Sequence, residues 1–376
     1  MNVLISGASV AGPALAYWLH RHGIQATIVE RAEQVRPGGL AVDFRGTAMR
    51  VLDEMGILGE LRAHATHSGD AKVVDADGNQ IAIMPGAIFA GELEVLKTDL
   101  TRILYDLTKN DTEYVFGDSI DTLTQEADGV RVEFDRGAPR QFDVVIGADG
   151  LHSRVRALAF GPKERFTNHM GYAFASFSTA NYLDLDHAGA SHVSGDRSLN
   201  VFASKENRAA RVLFMFPAKD VPRTREAQEK AIRTAYQHVG WEAGNLLARM
   251  PEATDFYFDE LSQITMPAWS TGRVALVGDA GYCASPMSGR GTSQALLGAY
   301  VLAGELSTQD TLEKAFAEYE EALRDYVAST HEMGRMARDS FNLPPSQELF
   351  DAIAAAGTGD DTMDNLNLKN YATKVH

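Results

Sequence analysis

Short runs of apolar residues recur at three distant places in the chain, and a glycine follows each run within two residues. They are residues 3–5 (VLI), 144–146 (VVI) and 274–277 (VALV). Apolar runs bounded by glycine or polar residues are typical of buried strands. The first run leads through a glycine-containing segment into an apolar stretch that begins near Pro13. We therefore expect a strand, a tight turn and a helix at the start of the chain.

Two other patterns extend this alternation of strands and helices. Apolar residues recur at helical spacing at Leu100, Ile103, Leu104 and Leu107. Thr98 and Asp99 stand just before them and are candidate N-caps. Residues 130–134 alternate between apolar and charged side chains, which predicts a half-buried strand. Together these segments predict a domain of the α/β class.

Between about residues 168 and 266 the pattern changes to longer β-like segments. We expect strands at 171–178, 198–204 and 211–216, and a helix at about 224–238. A hairpin is predicted around residues 77–79 (DGN). These segments predict a mixed sheet that covers a ligand pocket on the first domain.

A long amphipathic helix is predicted near the C-terminus. Apolar residues recur at helical spacing at Leu312, Phe316, Tyr319, Leu323 and Tyr326. A helix that packs on the protein body explains this pattern, and a coiled-coil helix for a partner is the alternative. After it, Pro344 and Pro345 break the helix, and residues 357–361 suggest a loosely held tail to which no chemistry is assigned.

The domains are expected to interleave, because the sequence shows no flexible linkers. The first domain, expected to be Rossmann-like, takes residues 1–66, 96–166 and 267–310. The mixed-sheet domain, assigned to the substrate by its position, takes residues 67–95 and 167–266. The C-terminal helix takes residues 311–342, and the tail takes residues 343–376.

Composition narrows the classes of partner. The chain has 376 residues and a formal net charge of -16, which argues against nucleic acid or an anionic membrane as a partner. Its one cysteine, Cys283, excludes an internal disulfide, suits a reducing cytoplasm and is expected to be a buried apolar residue. No apolar run approaches the roughly twenty residues of a membrane span, and a basic signal-peptide leader is missing. No spaced cluster of Cys, His and carboxylates indicates a metal site.

The turn after the first strand has the pattern of a dinucleotide-binding loop. Residues 7–12 (GASVAG) carry Gly7 and Gly12 at their ends and Ser9 where a glycine is common. Glycine lets backbone amides approach phosphates, and the N-terminus of the following helix favours negative charge. Glu30 ends a second predicted strand about twenty residues later, where a carboxylate binds a ribose hydroxyl. Turns of this kind serve NAD, NADP and FAD alike.

Two later segments also place a glycine and an acid after a strand. Residues 147–150 (GADG) follow the second apolar run, and residues 278–280 (GDA) follow the third and precede residues 286–292 (PMSGRGT). The order, spacing and residue types of the three segments resemble the class A flavoprotein monooxygenases, the family of para-hydroxybenzoate hydroxylase. Within it, the pattern is most similar to tetracycline-inactivating and antibiotic-tailoring members. The resemblance covers most of the chain up to about residue 338.

The resemblance implies an FAD site. It implies that residues 7–12 hold the pyrophosphate, that Glu30 and Arg31 contact the AMP end, and that Asp279 binds on the ribityl side. Residues 289–292 would lay backbone amides beside flavin N1 and O2. Asp149 has an alternative role in capping a turn, and Asp279 as a helix N-cap. The implied cofactor residues are Gly7, Ser9, Gly12, Glu30, Arg31, Lys97, Asp149, Asp279, Pro286, Gly289, Gly291 and Thr292.

The chain departs from the family pattern at three positions. Lys97 stands where an arginine is common on the flavin-contacting helix, so the charge is kept and the planar fork is lost. Tyr282 replaces a histidine that often follows the late Gly-Asp pair, and Arg290 replaces the usual glutamine of the last glycine loop. Neither of these two changes removes a backbone contact.

The implied activity is that of an FAD-dependent monooxygenase. It would use NADPH or NADH and O2 to hydroxylate or epoxidise an aromatic or polyketide-like small molecule through a flavin C4a-hydroperoxide. Alternatives on the same scaffold are a flavin halogenase or reductase, and a flavin-loaded drug-sequestering protein without turnover. A cytoplasmic monomer or weak homo-oligomer is expected. No catalytic residue is assigned among the acid–base candidates His169, Tyr172, His187, His192 and Arg211.

Overall fold

The computed structural model describes residues 1–35, 40–203, 208–341, 343–358 and 364–371. Within these ranges lie eighteen β-strands. In chain order they are β1 Asn2–Ser6, β2 Gln25–Glu30, β3 Ala41–Phe44, β4 Ala71–Val74, β5 Gln80–Met84, β6 Leu93–Leu96, β7 Glu113–Phe116, β8 Ile120–Gln125, β9 Val130–Phe134, β10 Arg140–Phe142, β11 Val144–Gly147, β12 Thr167–Ala180, β13 Gly189–Ser194, β14 Arg197–Ala203, β15 Ala209–Pro217, β16 Tyr257–Ile264, β17 Ser270–Thr271 and β18 Val274–Leu276.

The same ranges contain twelve α-helices and three short 3-10 turns. The helices are α1 Ala11–Arg21, α2 Thr47–Glu54, α3 Leu58–Ala63, α4 Ala87–Ala90, α5 Lys97–Thr108, α6 Arg154–Ala159, α7 Arg225–Tyr236, α8 Ala243–Arg249, α9 Asp279–Tyr282, α10 Gly291–Thr308, α11 Leu312–Ser340 and α12 Gln347–Thr358. The 3-10 turns are Lys163–Arg165, Met250–Glu252 and Pro286–Ser288.

A six-stranded sheet organises the first domain and has the order β17-β18-β11-β1-β2-β7. All neighbours in it pair in parallel except β17 and β18. Ser6 at the end of β1 lies beside Gly147 of β11, which in turn lies beside Leu276 of β18. Because parallel strands share one carboxyl edge, the three glycine-bearing segments leave the sheet side by side. The predicted Rossmann-like α/β architecture is confirmed.

Both faces of this sheet are covered. Successive residues of a strand point to opposite faces, yet Val3, Leu4 and Ile5 are all fully buried. Helix α1 packs against α10, and the rings of Trp18 and Tyr300 meet edge to face at 4.9 Å. The strong burial explains why the strands appear in the sequence as unbroken apolar runs.

The second domain is built on a mixed seven-stranded sheet with the order β16-β12-β15-β14-β13-β4-β5. One face packs under α7 and α8, where Phe177 and Phe214 meet Ile232 and Leu246. The opposite face carries a smaller apolar cluster of Met170, Tyr172, Phe174 and Leu261, which Met287 from the loop before α10 joins. The second sheet therefore turns this face toward the loop before α10, and its role as the cover of a ligand pocket stays a prediction.

The long C-terminal helix packs on the protein body. Helix α11 lies along α10, and Phe316, Tyr319, Leu323 and Tyr326 are all buried in the main core. The explanation by packing on the body is therefore preferred over the coiled-coil alternative. The helix ends at Ser340, before the proline pair at residues 344–345, and Asn342 lies outside the described residues.

The predicted loosely held tail is wrong for the residues that the structure describes. Residues 347–358 form α12, which packs against α4 and β5. Residues 364–371 lie in the body of the protein, where Leu368 and Tyr371 are each only 7% exposed. Burial of these apolar side chains holds the segment in place, and its local composition did not reveal this. Residues 359–363 and 372–376 lie outside the described ranges, and they include three of the five residues, 357–361, on which the prediction of a loosely held tail rested.

Smaller differences concern element boundaries. Helix α5 begins at Lys97, and no side chain caps it, so Thr98 and Asp99 lie inside its first turn and are not caps. The strand predicted at 198–204 is β14, whose described end is Ala203, and Ser204 lies outside the described residues. Among the described helices, none is long and apolar enough to cross a membrane.

Candidate active site

The turn after β1 depends on two glycines. Gly7 has a φ of +111°, and a Cβ added there would lie 2.5 Å from the Ala148 carbonyl oxygen. A Cβ added to Gly12 would lie 1.9 Å from the Gly7 carbonyl oxygen. Neither position accepts a side chain, because the turn, the start of α1 and the turn after β11 pack backbone on backbone. Ser9, between the two glycines, is exposed.

Glu30 is fixed beside this turn at the end of β2. Its Oε2 accepts a hydrogen bond from the Ala8 amide at 3.0 Å, and its Oε1 accepts one from the Ala32 amide at 2.9 Å. Two backbone donors thus hold the carboxylate at the carboxyl edge of the sheet. Arg31, the next residue, is exposed. The structure brings Glu30 to the turn after β1, and the AMP-end role of both residues stays a prediction.

The side chain of Asp149 has a structural role. Its Oδ2 accepts hydrogen bonds from the amides of Arg154 and Val155 at 2.8 and 3.1 Å, and its Oδ1 accepts one from the Ser153 hydroxyl at 2.5 Å. Arg154 and Val155 begin α6, so the carboxylate supports the first turn of this helix beside its N-cap Ser153, whose hydroxyl accepts a hydrogen bond from the Arg156 amide at 3.0 Å. Burial raises the pKa of the Asp149 carboxyl, and the same hydrogen bonds oppose the rise. These contacts agree with the turn-capping alternative, and a contact of Asp149 with FAD stays a prediction.

Arg156 is a positioning residue that the sequence did not single out. It is fully buried, and it donates hydrogen bonds to the carbonyl oxygens of Ala280 at 2.7 Å and Leu151 at 2.6 Å. Burial lowers the pKa of its guanidinium, and the charge of Asp149 opposes the decrease. Arg156 thus ties the turn after β11 to the turn after β18. The sequence carried no signal for this beyond a basic residue near a glycine turn.

Asp279 lies on the wall of a concave site. It follows Gly278, which has a φ of +64°, and its side chain is exposed although Val277 and Ala280 on either side are fully buried. The surrounding protein nevertheless raises the pKa of the Asp279 carboxyl by desolvation, and the positive charge of Lys97 opposes this. An exposed carboxyl that is still desolvated must face a recess in the protein surface.

The loop before α10 faces the same carboxylate. Gly289 has a φ of +63°, and α10 begins at Gly291 without a side-chain cap among the described residues. A Cβ added to Gly291 would lie 3.7 Å from Asp279 Oδ1. The first amides of α10 and the positive end of its dipole are therefore available to a ligand in this recess. Pro286 is exposed and Thr292 is half-buried in the same loop.

Asp43 on β3 and Arg45 just after this strand complete the recess, and the sequence did not predict them. A Cβ added to Gly289 would lie 3.8 Å from Asp43 Oδ1, and Asp43 Oδ2 accepts a hydrogen bond from Arg45 Nε at 3.0 Å. Burial raises the pKa of the Asp43 carboxyl, while the charges of Arg45 and Arg290 oppose the rise. These residues follow no glycine motif, and only the pairing of β3 with β6 brings them here.

The face of the second sheet opposite α7 and α8 carries a polar row. Ser176, Leu213, Asn200 and Ser191 lie side by side across β12, β15, β14 and β13. Asn200 Oδ1 accepts a hydrogen bond from the Ser191 hydroxyl at 2.7 Å. The buried Ser176 hydroxyl finds no partner among the described atoms. Next to this row stand the apolar side chains of Phe174, Tyr172, Met215 and Leu261.

The acid–base candidates of the second domain are mostly engaged elsewhere. His192 is buried, with its Nδ1 at 2.9 Å from the Val74 carbonyl oxygen, and Arg211 pairs with Asp255 at 3.0 Å. Tyr172 belongs to the apolar cluster, and the Nδ1 atom of His169 accepts a hydrogen bond from the Gly171 amide at 2.9 Å. His187 lies at the surface. None of these contacts marks a general base.

The recess fits FAD in three respects. The glycine turn brings backbone amides and an uncapped α1 to one end, and an exposed, desolvated carboxyl lies next to a second uncapped helix at the other. The strand order of the first sheet places both ends at one edge, as dinucleotide-binding sheets require. Within the described ranges, no three His, Cys, Asp or Glu side chains form a group that would hold a metal.

Comparison with known proteins agrees with this geometry. Residues 1–331 match the family described as FAD binding domain. An uncharacterized protein of Mycobacterium tuberculosis (strain ATCC 25618 / H37Rv) is 46% identical over 87% of this chain and 90% of its own length. A flavin-dependent monooxygenase of Legionella longbeachae is 37% identical over 91% of this chain and 90% of its own. The crystal structure of tetracycline destructase Tet(51) superposes with a TM-score of 0.89, at 35% identity, over 98% of this chain and 99% of that one. The chain therefore belongs to the FAD binding domain family, among its flavin-dependent monooxygenases.

Proposed function

We propose that this flavin-dependent monooxygenase uses NADPH or NADH and O2 to hydroxylate an aromatic or polyketide-like small molecule. The observation that carries the proposal is the recess between the two sheets, with an acid and two helix N-termini on one side and a mixed polar and apolar sheet face on the other. The similarity to a tetracycline destructase supports a polycyclic substrate.

Each end of the recess takes a part of FAD. Residues 7–12 and the start of α1 would hold the pyrophosphate, and Glu30 and Arg31 would bind the AMP end. Asp279 would bind the ribityl chain, with Lys97 at its side. Bound FAD supplies the redox chemistry, because no side chain transfers hydride or activates oxygen. Pro286, Gly289, Gly291 and Thr292 would line the flavin ring edge, where the α10 dipole favours negative charge.

The second sheet is the proposed substrate surface. A polyketide has flat apolar rings with hydroxyl and carbonyl groups along one edge. Phe174 and Met215 offer half-buried or buried apolar contact, while Asn200 and the unpartnered Ser176 hydroxyl offer hydrogen bonds. A buried hydroxyl without a partner is unfavourable and gains a bond when a polar ligand arrives. A phenol or enol would supply its own ionised oxygen, so a separate protein base is unnecessary.

The reductant is proposed to dock transiently. The chain shows one dinucleotide turn, and this turn is assigned to FAD. NADPH or NADH would therefore approach the flavin without a domain of its own, in a single-component enzyme. Substrate binding should accelerate the reduction, because it orders the recess in which hydride transfer occurs.

Stopped-flow reduction of the bound flavin tests the proposal. NADPH and NADH are compared in the presence of phenols and of polyketide antibiotics, and oxygen consumption is followed in parallel. We expect at least one compound of these classes to accelerate reduction and oxygen uptake together and to gain one oxygen atom. Tight binding of a polyketide without accelerated reduction or oxygen uptake would instead support the drug-sequestering alternative.

A further inference from the structure

An ion pair joins the loop before α10, which contains Arg290, to the C-terminal segment of residues 364–371. Arg290 Nε lies 2.7 Å from Asp364 Oδ1, and Arg290 Nη2 lies 2.9 Å from Asp364 Oδ2. The two side chains are only 7% and 16% exposed. A two-point pair with both partners this well covered has a fixed geometry. Arg290 is also the residue immediately before α10, so its position and that of Gly291 are coupled.

The backbone of Asp364 is itself held in place. Its carbonyl oxygen accepts a hydrogen bond from the Thr47 amide at 2.9 Å, and the Thr47 hydroxyl donates to the Leu366 carbonyl oxygen at 3.1 Å. Gly46 has a φ of +51°, and a Cβ added there would lie 2.3 Å from the Asp364 carbonyl oxygen. The C-terminal segment thus lies directly on the start of α2.

The other end of the segment has a separate anchor. Lys369 pairs with the fully buried Glu305 at 2.7 Å and with Glu318 at 2.9 Å. The Tyr371 hydroxyl donates to Glu305 at 2.7 Å. These contacts hold the segment on α10 and α11, at the far end of α10 from Arg290. Asp364 itself is held at the start of α2 by the Thr47 amide, so this second anchor stabilises the segment without setting the position of the Asp364 carboxylate.

A second acid, Asp43, lies near Arg290. Asp43 feels the charge of Arg290, and Gly289 lies next to the Asp43 carboxyl. If Asp364 lost its charge, Arg290 would be attracted toward Asp43, which Arg45 already pairs. The loop would move with Arg290, because its neighbours Gly289 and Gly291 provide no side-chain anchors. The position of the loop therefore depends on the balance between Asp364 and Asp43.

We propose that Asp364 is a positioning residue of the FAD site, which holds residues 289–292 against the flavin through the Arg290–Asp364 ion pair. This inference rests on the proposed placement of that loop at the flavin edge. It also explains the departure of Arg290 from the usual glutamine, since the side chain is directed to the C-terminal segment. FAD retention and flavin potential should accordingly depend on a residue in the last part of the chain.

The test is FAD titration of the apoprotein, with the flavin midpoint potential and the thermal unfolding of the apoprotein measured in parallel. We expect Asp364→Asn and Arg290→Gln each to raise the Kd for FAD about ten-fold, equivalent to about 1.4 kcal/mol, and to shift the potential. The double variant should be no worse than either single variant, because both remove one interaction. Asp364→Glu should restore part of the affinity.

Lys369→Met is the matched control, because it loosens the same segment at the other end. It should lower the unfolding temperature of the apoprotein while the Kd for FAD stays within about two-fold of wild type. An unchanged Kd and potential in folded Asp364→Asn, or an equal loss of affinity in Lys369→Met, would overturn the proposal. Gly291→Val distinguishes failure of the ion-pair proposal from failure of the proposed loop placement. If Gly291→Val weakens FAD binding and Asp364→Asn does not, the positioning role of the ion pair is refuted. If neither variant weakens FAD binding, the placement of residues 289–292 at the flavin is refuted.

Discussion

Replacing Gly291 with valine adds a branched side chain at the first residue of α10, where the protein leaves room for it. The backbone of Gly291 is not left-handed, and the nearest atom to an added Cβ is Asp279 Oδ1 at 3.7 Å, an ordinary contact distance. Within a helix, valine is more favourable than glycine by roughly 0.3–0.5 kcal/mol. We therefore expect the Gly291→Val apoprotein to fold, with a free energy of unfolding within about 0.5 kcal/mol of wild type.

The effect on FAD should be much larger. The valine side chain would stand between the start of α10 and Asp279, in the recess proposed for the flavin. If two hydrogen bonds to the cofactor are displaced, at about 0.5–1.5 kcal/mol each, the binding free energy falls by about 1–3 kcal/mol. This corresponds to a rise in Kd of about five-fold to 150-fold. Less stabilisation of the reduced flavin should also lower its potential and release more hydrogen peroxide per NAD(P)H.

The assay is fluorescence titration of apoprotein with FAD, combined with denaturant unfolding of the apoprotein. Gly244→Val is the matched control, because Gly244 also lies in the first turn of a helix, α8, and an added Cβ would meet no atom within 4 Å. The control should bind FAD as wild type does. A folded Gly291→Val protein with wild-type Kd, potential and coupling would refute the assignment of Gly289 and Gly291 to the flavin site.

Three further results are expected. Asp279→Ala should weaken FAD binding and leave the unfolding free energy of the apoprotein nearly unchanged, because the carboxyl is exposed in the recess. A variant that binds FAD as tightly as wild type in titration would contradict this. Asp149→Ala should lower the unfolding free energy by about 0.5–2 kcal/mol, because the first two amides of α6 lose their carboxylate acceptor. Its effect on FAD should be smaller than that of Asp279→Ala, and denaturant unfolding and FAD titration would show both results. Burial lowers the pKa of His331, so the unfolded state binds a proton at a higher pH than the folded state does, and stability should fall as the pH drops below about 6.5. Denaturant unfolding between pH 7 and pH 5 should show a smaller loss of stability in His331→Asn than in wild type. An equal loss would refute the contribution of His331.

The sequence by itself determined the α/β class and the location of the cofactor motifs. Strands buried on both faces must be almost wholly apolar, so residues 3–5, 144–146 and 274–277 stand out without a structure. Glycine at positions 7 and 12 is required by backbone contacts that no other residue permits. Such requirements are local, and they therefore leave a visible mark in the chain.

Tertiary structure alone decided which side chains meet across the recess. Asp43 comes to the loop before α10 only because β3 pairs with β6, and Asp364 comes there only because the C-terminal segment packs on α2 and α10. The role of the Asp149 side chain was also decided there, by the amides of α6 that surround its carboxylate. Ion pairs and helix-capping contacts between distant segments leave no periodic pattern in the sequence, because an acid from any segment can form them if it lies close enough in space. The local sequence around Asp364 is that of a loose tail, and only the burial of Leu368 and Tyr371 in the same segment brings Asp364 to Arg290.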